Sequence, residues 1–120
     1  MPAAVDHQPD ELVSIIRDHE YVHARDWFAG IPISPQLRIS EEEALLLDPN
    51  VIISVMEVRA YRHQLNVMSE ELKSRFGIYL STSSGYNAHR HRLQRALEDP
   101  RSSFEEKVIR EFLSNLDQMI

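Results

Sequence analysis

The sequence contains no cysteine, only three glycines and a single tryptophan among its 120 residues. The missing cysteines exclude disulfides and cysteine-ligated zinc, and they are typical of a reducing compartment. Uninterrupted apolar runs reach only four residues, as at 44–47, which is far too short for a membrane span. The first residues have neither the basic start nor the apolar stretch of a signal peptide. We therefore expect a cytoplasmic protein that makes no membrane contact.

Charge is distributed unevenly along the chain, whose formal net charge is −6. Residues 1–50 carry ten acidic and three basic side chains, whereas residues 51–120 carry nine and ten. The acidic first half argues against nonspecific binding to nucleic acid. The hydrophobic share of 42% predicts a single folded domain over residues 1–120, with residues 1–8 flexible.

Helical periodicity and helix-end signals predict an all-α fold, a small helical bundle of about five helices with one long central helix. The first helix is predicted over 9–28, before Gly30, and an extended connector over 31–39. A capping box of Ser40 and Glu43 predicts a short helix over 41–47. Asp48 and Pro49 predict the start of the next helix.

The central helix is predicted over 49–76, because apolar residues recur there at nearly heptad spacing. An extended segment over 78–80 and a polar loop over 81–85 are expected to follow it. The fourth helix is predicted over 86–97. The fifth is predicted from Ser103 to the chain end, with Ser102 or Ser103 as its cap and Glu105 or Glu106 completing a second capping box.

A functional surface is predicted on the central helix, because 28 helical residues span about 42 Å, more than a compact domain of this size can cover. The apolar stripe on the projecting half would then bind a protein partner. The predicted contact residues are Tyr61, Arg62, Leu65, Met68, Leu72, Arg75 and Phe76. The alternative is that the first and last helices cover the stripe within one molecule.

The favoured function is a non-enzymatic regulator that acts by helix-mediated protein binding, such as an antiactivator, an adaptor or a small chaperone. In organisation the chain resembles small helical bacterial regulators such as quorum-sensing antiactivators, which implies a transcription regulator as partner. A homodimer is expected, and no catalytic residue, metal or cofactor is predicted.

A second hypothesis comes from the segment His19–His23, which reads H-E-x-x-H. This string resembles the zincin metallopeptidase motif, which implies His19 and His23 as zinc ligands and Glu20 as the general base. The third ligand would then be Glu57, His63 or one of the acids at 41–43. The simpler interpretation is a pair of neutral histidines, hydrogen-bonded to backbone or acidic groups where two helices pack.

A third hypothesis comes from residues 89–95, which are strongly basic and contain no acid. They resemble the recognition helix of a helix-turn-helix protein, which would place Arg90, Arg92 and Arg95 on DNA. The alternatives are a solvated basic face or a contact for an acidic protein surface. The negative net charge and the acids at 98 and 99 argue against nucleic-acid binding.

Overall fold

The computed structural model describes residues 10–74 and 77–118, which fold into a small helical bundle with one short β-hairpin. The prediction of an all-α bundle is confirmed, and the expected flexibility of residues 1–8 lies outside the described residues. In chain order the elements are α1 (Asp10–Ala29), β1 (Ile31–Ser34), β2 (Leu37–Ile39), α2 (Glu41–Ala44), α3 (Pro49–Val67), α4 (Glu70–Lys73), α5 (Ile78–Ala96) and α6 (Ser103–Gln118). Among these helices none is both long and apolar enough to cross a membrane.

Helix α3 is the centre of the bundle, with α1 and α5 packed against it. Its Val55 and Val58 are completely buried, because apolar residues surround its first half. The hairpin packs on α6 through its isoleucines. One continuous core therefore joins the hairpin, α2, α3, α5 and α6.

The predicted caps of α2 and α3 are confirmed. Ser40 Oγ accepts from the Glu43 amide at 3.1 Å, and the Ser40 amide donates to Glu43 Oε1 at 3.0 Å. Asp48 Oδ1 accepts from the Asn50 amide at 2.9 Å, and Pro49 occupies the first turn of α3. These local interactions satisfy backbone groups that a helix end leaves unpaired.

The segment 31–39 has the predicted extended backbone in two strands, but it is not a plain connector, since it forms an antiparallel hairpin in which Ile31 pairs with Ile39. The isoleucines at 31, 33 and 39 are buried, and their alternation is the period of a strand. The hairpin was not predicted because Pro32 and Pro35 argue against strands. A two-stranded ribbon tolerates Pro32 because every strand in it is an edge strand.

The predicted 28-residue central helix is also wrong, because α3 ends at Val67. Met68 takes an extended backbone with φ −75° and ψ 127°, and the short α4 begins only at Glu70. The Met68 side chain is 5% exposed and packs with Ile15 and Ile78. The apolar spacing continues across this break, so periodicity alone could not reveal it.

Helix α5 begins at Ile78, eight residues before the predicted start, so residues 78–85 are neither extended nor a loop. Serine, threonine and glycine disfavour helix interiors, which is why the sequence predicted a loop here. The segment is nevertheless helical because it packs on α3, where Thr82 is buried. Tertiary contact has overridden the local preference.

Helix α6 is capped by Ser102, whose hydroxyl accepts from the Glu105 amide at 3.1 Å, as predicted. Glu105 does not complete the predicted second capping box, because its side chain does not accept from the amide of the capping serine. The Glu105 carboxylate is buried and accepts instead from the amides of Arg101 at 2.7 Å and Asp48 at 2.8 Å. It thereby joins the start of α6 to the start of α3.

Candidate functional site

Two helices bring His19, His23 and Glu57 together in what we call the histidine–glutamate cluster. The two histidines are one helical turn apart on α1 and therefore share a face, and Glu57 faces them from α3. His23 Nε2 lies 2.6 Å from Glu57 Oε1, and His19 Nε2 lies 3.5 Å from Glu57 Oε2. The three side chains are only 13%, 19% and 24% exposed for His19, His23 and Glu57. The cluster is thus a polar group largely enclosed between α1 and α3.

A chain of hydrogen bonds orients His19 from its other side. Gln64 Nε2 donates to Thr82 Oγ1 at 2.7 Å, which turns the amide oxygen of Gln64 toward His19. His19 Nδ1 then donates to Gln64 Oε1 at 3.0 Å. In the neutral ring this leaves the unshared electron pair on Nε2, the nitrogen that faces Glu57. The environment beyond the cluster therefore fixes which ring nitrogen is available to it.

Tyr61 closes the cluster toward α5. Its ring meets His19 edge to face at 4.9 Å and stacks against His89 at 6.2 Å. Burial raises the pKa of the Tyr61 hydroxyl above its usual 10.0, and the negative charge of Glu57 raises it further. Tyr61 therefore remains a neutral aromatic spacer between two histidines.

His89 lies on α5 outside the histidine–glutamate cluster, where its Nδ1 is 3.3 Å from Ser54 Oγ and 3.4 Å from an Arg92 nitrogen. Burial lowers the pKa of the His89 imidazole below its ordinary 6.5, and the Arg92 guanidinium lowers it further. Glu57 acts in the opposite direction but more weakly. The site therefore favours an uncharged imidazole at this position.

A bidentate ion pair fixes the second half of α1 on α3. Arg59 Nε and Nη2 donate to the two carboxylate oxygens of Asp26 at 2.9 and 3.0 Å. The Asp26 side chain is 2% exposed, and Arg59 also reaches the Pro32 carbonyl of the hairpin at 3.4 Å. This pair sets the register between α1 and α3 that brings the histidines opposite Glu57.

Among the three candidate third ligands of the zincin-like string, only Glu57 joins the two histidines. His63 lies near Asp18 at 3.8 Å on a more exposed part of the same helix pair, and Glu43 serves as the capping residue of α2. Glu20, the implied general base, is exposed and is not a member of the cluster. Glu20 is therefore not placed to act as a general base in the cluster, and the hydrolase function stays a prediction.

The structure describes four side chains of the predicted partner-binding stripe, of which one is buried and three are half-buried. Met68 is buried against α1 and α5, which corrects its assignment to an exposed surface, and Tyr61 and Leu65 are half-buried. Arg62 is half-buried too, and it donates to the Leu116 carbonyl at 3.4 Å. The described residues do not include Arg75, Phe76 or the side chain of Leu72. The role of these three in binding a partner stays a prediction.

The basic segment 89–95 lies on the second half of α5, as the predicted fourth helix required. His91, Arg92 and Arg95 are exposed, whereas Leu93 is completely buried and anchors the helix. Arg92 interacts with His89, and Arg90 is half-buried. DNA binding by this helix stays a prediction, since an exposed basic face is equally common as a solvated surface.

A large apolar surface occurs instead at the end of α1, and we call Trp27, Phe28, Leu45 and Ile53 the apolar end surface. Phe28 is 92% exposed and Leu45 is 76% exposed. Three of these side chains, those of Trp27, Leu45 and Ile53, line a depression of about 190 Å³ together with Ala44, Leu47, Pro49 and Ile52. A second depression adjoins it through Trp27 and includes Phe28, Arg38, Glu41 and Glu43.

Sequence reasoning found the histidine pair and named Glu57, but it missed Gln64, Thr82 and Leu45. Gln64 follows Glu57 by seven residues and so lies on the same face of α3, a signal that was present in the sequence. Thr82 gave no such signal because its segment was predicted as a loop.

Comparison with known proteins gave no match to a family model, to a curated protein or to a solved structure.

Proposed function

We propose that this chain is a non-enzymatic cytoplasmic regulator that acts by binding another protein, and that the apolar end surface makes the contact. The observation that carries the proposal is the nearly complete exposure of Phe28, which follows Trp27 in the chain, together with the apolar depression that Trp27 lines. Large exposed apolar patches mark interaction sites, and tryptophan is enriched among residues that dominate binding energy.

The charge around this surface favours a basic partner. Glu41, Glu42 and Glu43 follow one another on α2, and two of them line the depression next to Phe28. Arg38 also lines it, but its guanidinium already donates to the Ala29 and Gly30 carbonyls at the end of α1. A partner segment with apolar side chains flanked by lysine or arginine would be complementary to such a surface.

A transcription regulator has this chemistry, because proteins that bind nucleic acid carry basic segments. The chain would then act as an antiactivator that occupies such a segment. A second copy of the chain is a less favourable occupant. A two-fold contact through the apolar end surface would bring the two sets of glutamates close to one another.

The test uses Phe28→Asp and Leu45→Asp, with Leu80→Asp as the matched control. Leu80 is an exposed leucine on α5, outside the apolar end surface. Proteins that cross-link to the purified chain in native cytosol are quantified for each variant. We expect a protein with a basic amphipathic segment to be lost with both test variants and retained with the control.

Its binding should also weaken as salt rises, because the charged contacts at the edge of the interface are screened. Equal recovery with all variants would overturn the proposal. If the chain forms a homodimer that only the two test variants dissociate, the proposal of a basic partner is overturned. The apolar end surface would then bind a second copy of the chain.

A further inference from the structure

We propose that His19, His23 and Glu57 form a binding site for Zn²⁺, or a divalent ion of similar preference, that links α1 to α3. This site is independent of the apolar end surface. It needs no general base, and Glu20 has no part in it. The inference rests on the convergence of donors, on the orientation of His19 and on the enclosure of the cluster.

The donor atoms already converge. One ligand atom from each of the three side chains lies within 4.8 Å of the others. A tetrahedral zinc ion with bonds of about 2.0–2.1 Å needs ligand atoms roughly 3.3 Å apart. The 3.5 Å between His19 Nε2 and Glu57 Oε2 is close to this value. His23 Nε2 lies 2.6 Å from the other carboxylate oxygen, Oε1, and this contact needs to open by less than an ångström.

The orientation of His19 leaves its Nε2 available to a cation. Because Nδ1 donates to Gln64, the neutral ring presents an unshared electron pair to a carboxylate oxygen. Two electron-rich atoms facing each other repel, and a cation between them turns repulsion into attraction. A histidine ligand whose other nitrogen donates to a carbonyl oxygen is the usual arrangement at metal sites.

The ligand types select the class of ion. Two imidazoles and one carboxylate suit zinc and its transition-metal neighbours, whereas calcium and magnesium prefer oxygen ligands only. Three protein ligands leave a fourth position for water or another small ligand. The ion would fix α1 on α3 close to the point where Gln64 and Thr82 already connect α3 with α5.

The metal test is titration of the metal-free full chain with Zn²⁺ by calorimetry, with circular dichroism as the check on folding. We expect one ion per chain with a dissociation constant of about 1 μM or lower. Glu57→Gln should remove this binding, and Gln64→Ala, which frees Nδ1 of His19, should weaken it by about 10–100-fold. His63→Gln is the matched control, because His63 lies outside the cluster on the same helix, and it should bind like the unmodified chain.

A second measurement needs no variant. Ring-nitrogen NMR of the unmodified chain should show Zn²⁺ acting on Nε2 of His19 and His23, while Nδ1 of His19 keeps its proton. The proposal is overturned if the signals that move belong to other histidines, or if Glu57→Gln binds Zn²⁺ like the unmodified chain. It is also overturned if no saturable binding occurs, in which case protons alone hold the cluster together.

Discussion

The ring of Tyr61 lies directly over Gly85, so that a Cβ atom added to the glycine would come within 2.7 Å of Tyr61 Cζ. Glycine in a helix interior normally destabilises by about 1 kcal/mol relative to alanine. Here the close approach of α3 and α5 reverses that preference, because a methyl group would displace the ring that separates His19 from His89.

We therefore expect Gly85→Ala to lower the free energy of unfolding by about 1–3 kcal/mol, the usual effect of overpacking. Chemical denaturation measures this change. Ser84→Ala, at the exposed neighbouring position, should change it by less than about 0.5 kcal/mol. Adding Tyr61→Leu to Gly85→Ala should recover part of the loss, and a stabilised Gly85→Ala chain would show that the two helices do not meet here.

The buried ion pair of Asp26 and Arg59 predicts a large effect of neutralising one partner. Asp26→Asn leaves a guanidinium without its bidentate partner, and we expect a loss of about 3 kcal/mol in unfolding free energy. Glu106→Gln removes a far more exposed pair with Arg110 and should change stability by less than about 0.5 kcal/mol. Equal effects of the two substitutions would contradict the enclosure of Asp26.

Glu105 predicts a local effect that hydrogen exchange can resolve. Its two carboxylate oxygens accept from two backbone amides, and a glutamine can accept at only one of its two ends. Glu105→Gln should cost about 1–3 kcal/mol, because one of the two backbone amides loses its acceptor at a buried side chain. Faster exchange at the amides of Asp48 and Arg101, relative to the interior of α3, would identify this cause, and unchanged protection there would refute it.

The environment of His89 predicts a pH dependence of stability. Because the pKa of His89 is lowered in the folded chain, the unfolded chain binds a proton first as the pH falls. The free energy of unfolding should therefore decrease as the pH falls through 6.5, the ordinary value for histidine. Denaturation between about pH 7 and pH 5 should show a shallower decrease for His89→Gln than for the unmodified chain.

Arg92→Gln supplies the matching variant, since it removes one of the two causes of the lowered pKa while retaining the imidazole. Its pH dependence should lie between those of the unmodified chain and His89→Gln. Identical slopes in all three proteins would mean that His89 does not contribute.

The starts of α2, α3 and α6 were predictable because each depends on a few neighbouring residues. The local sequence correctly indicated the capping residues, which are Ser40 with Glu43, Asp48 with Pro49, and Ser102. That His19 and His23 lie on one side of α1 was predictable for the same reason, since helical periodicity alone places residues four apart on the same face. Glu57 could be named only as one of several third ligands, because spacing along one helix does not say what lies opposite.

The sequence by itself determined the helical class, the caps and the histidine pair, because these are set by contacts between residues a few positions apart. Only the tertiary structure decided that the isoleucines of 31–39 pair as strands, that α3 stops at Val67 and that α5 starts at Ile78. It alone placed Glu57 opposite the histidines and left Phe28 exposed. These outcomes depend on apolar burial and hydrogen bonding between distant segments, which outweigh local preferences wherever the two conflict.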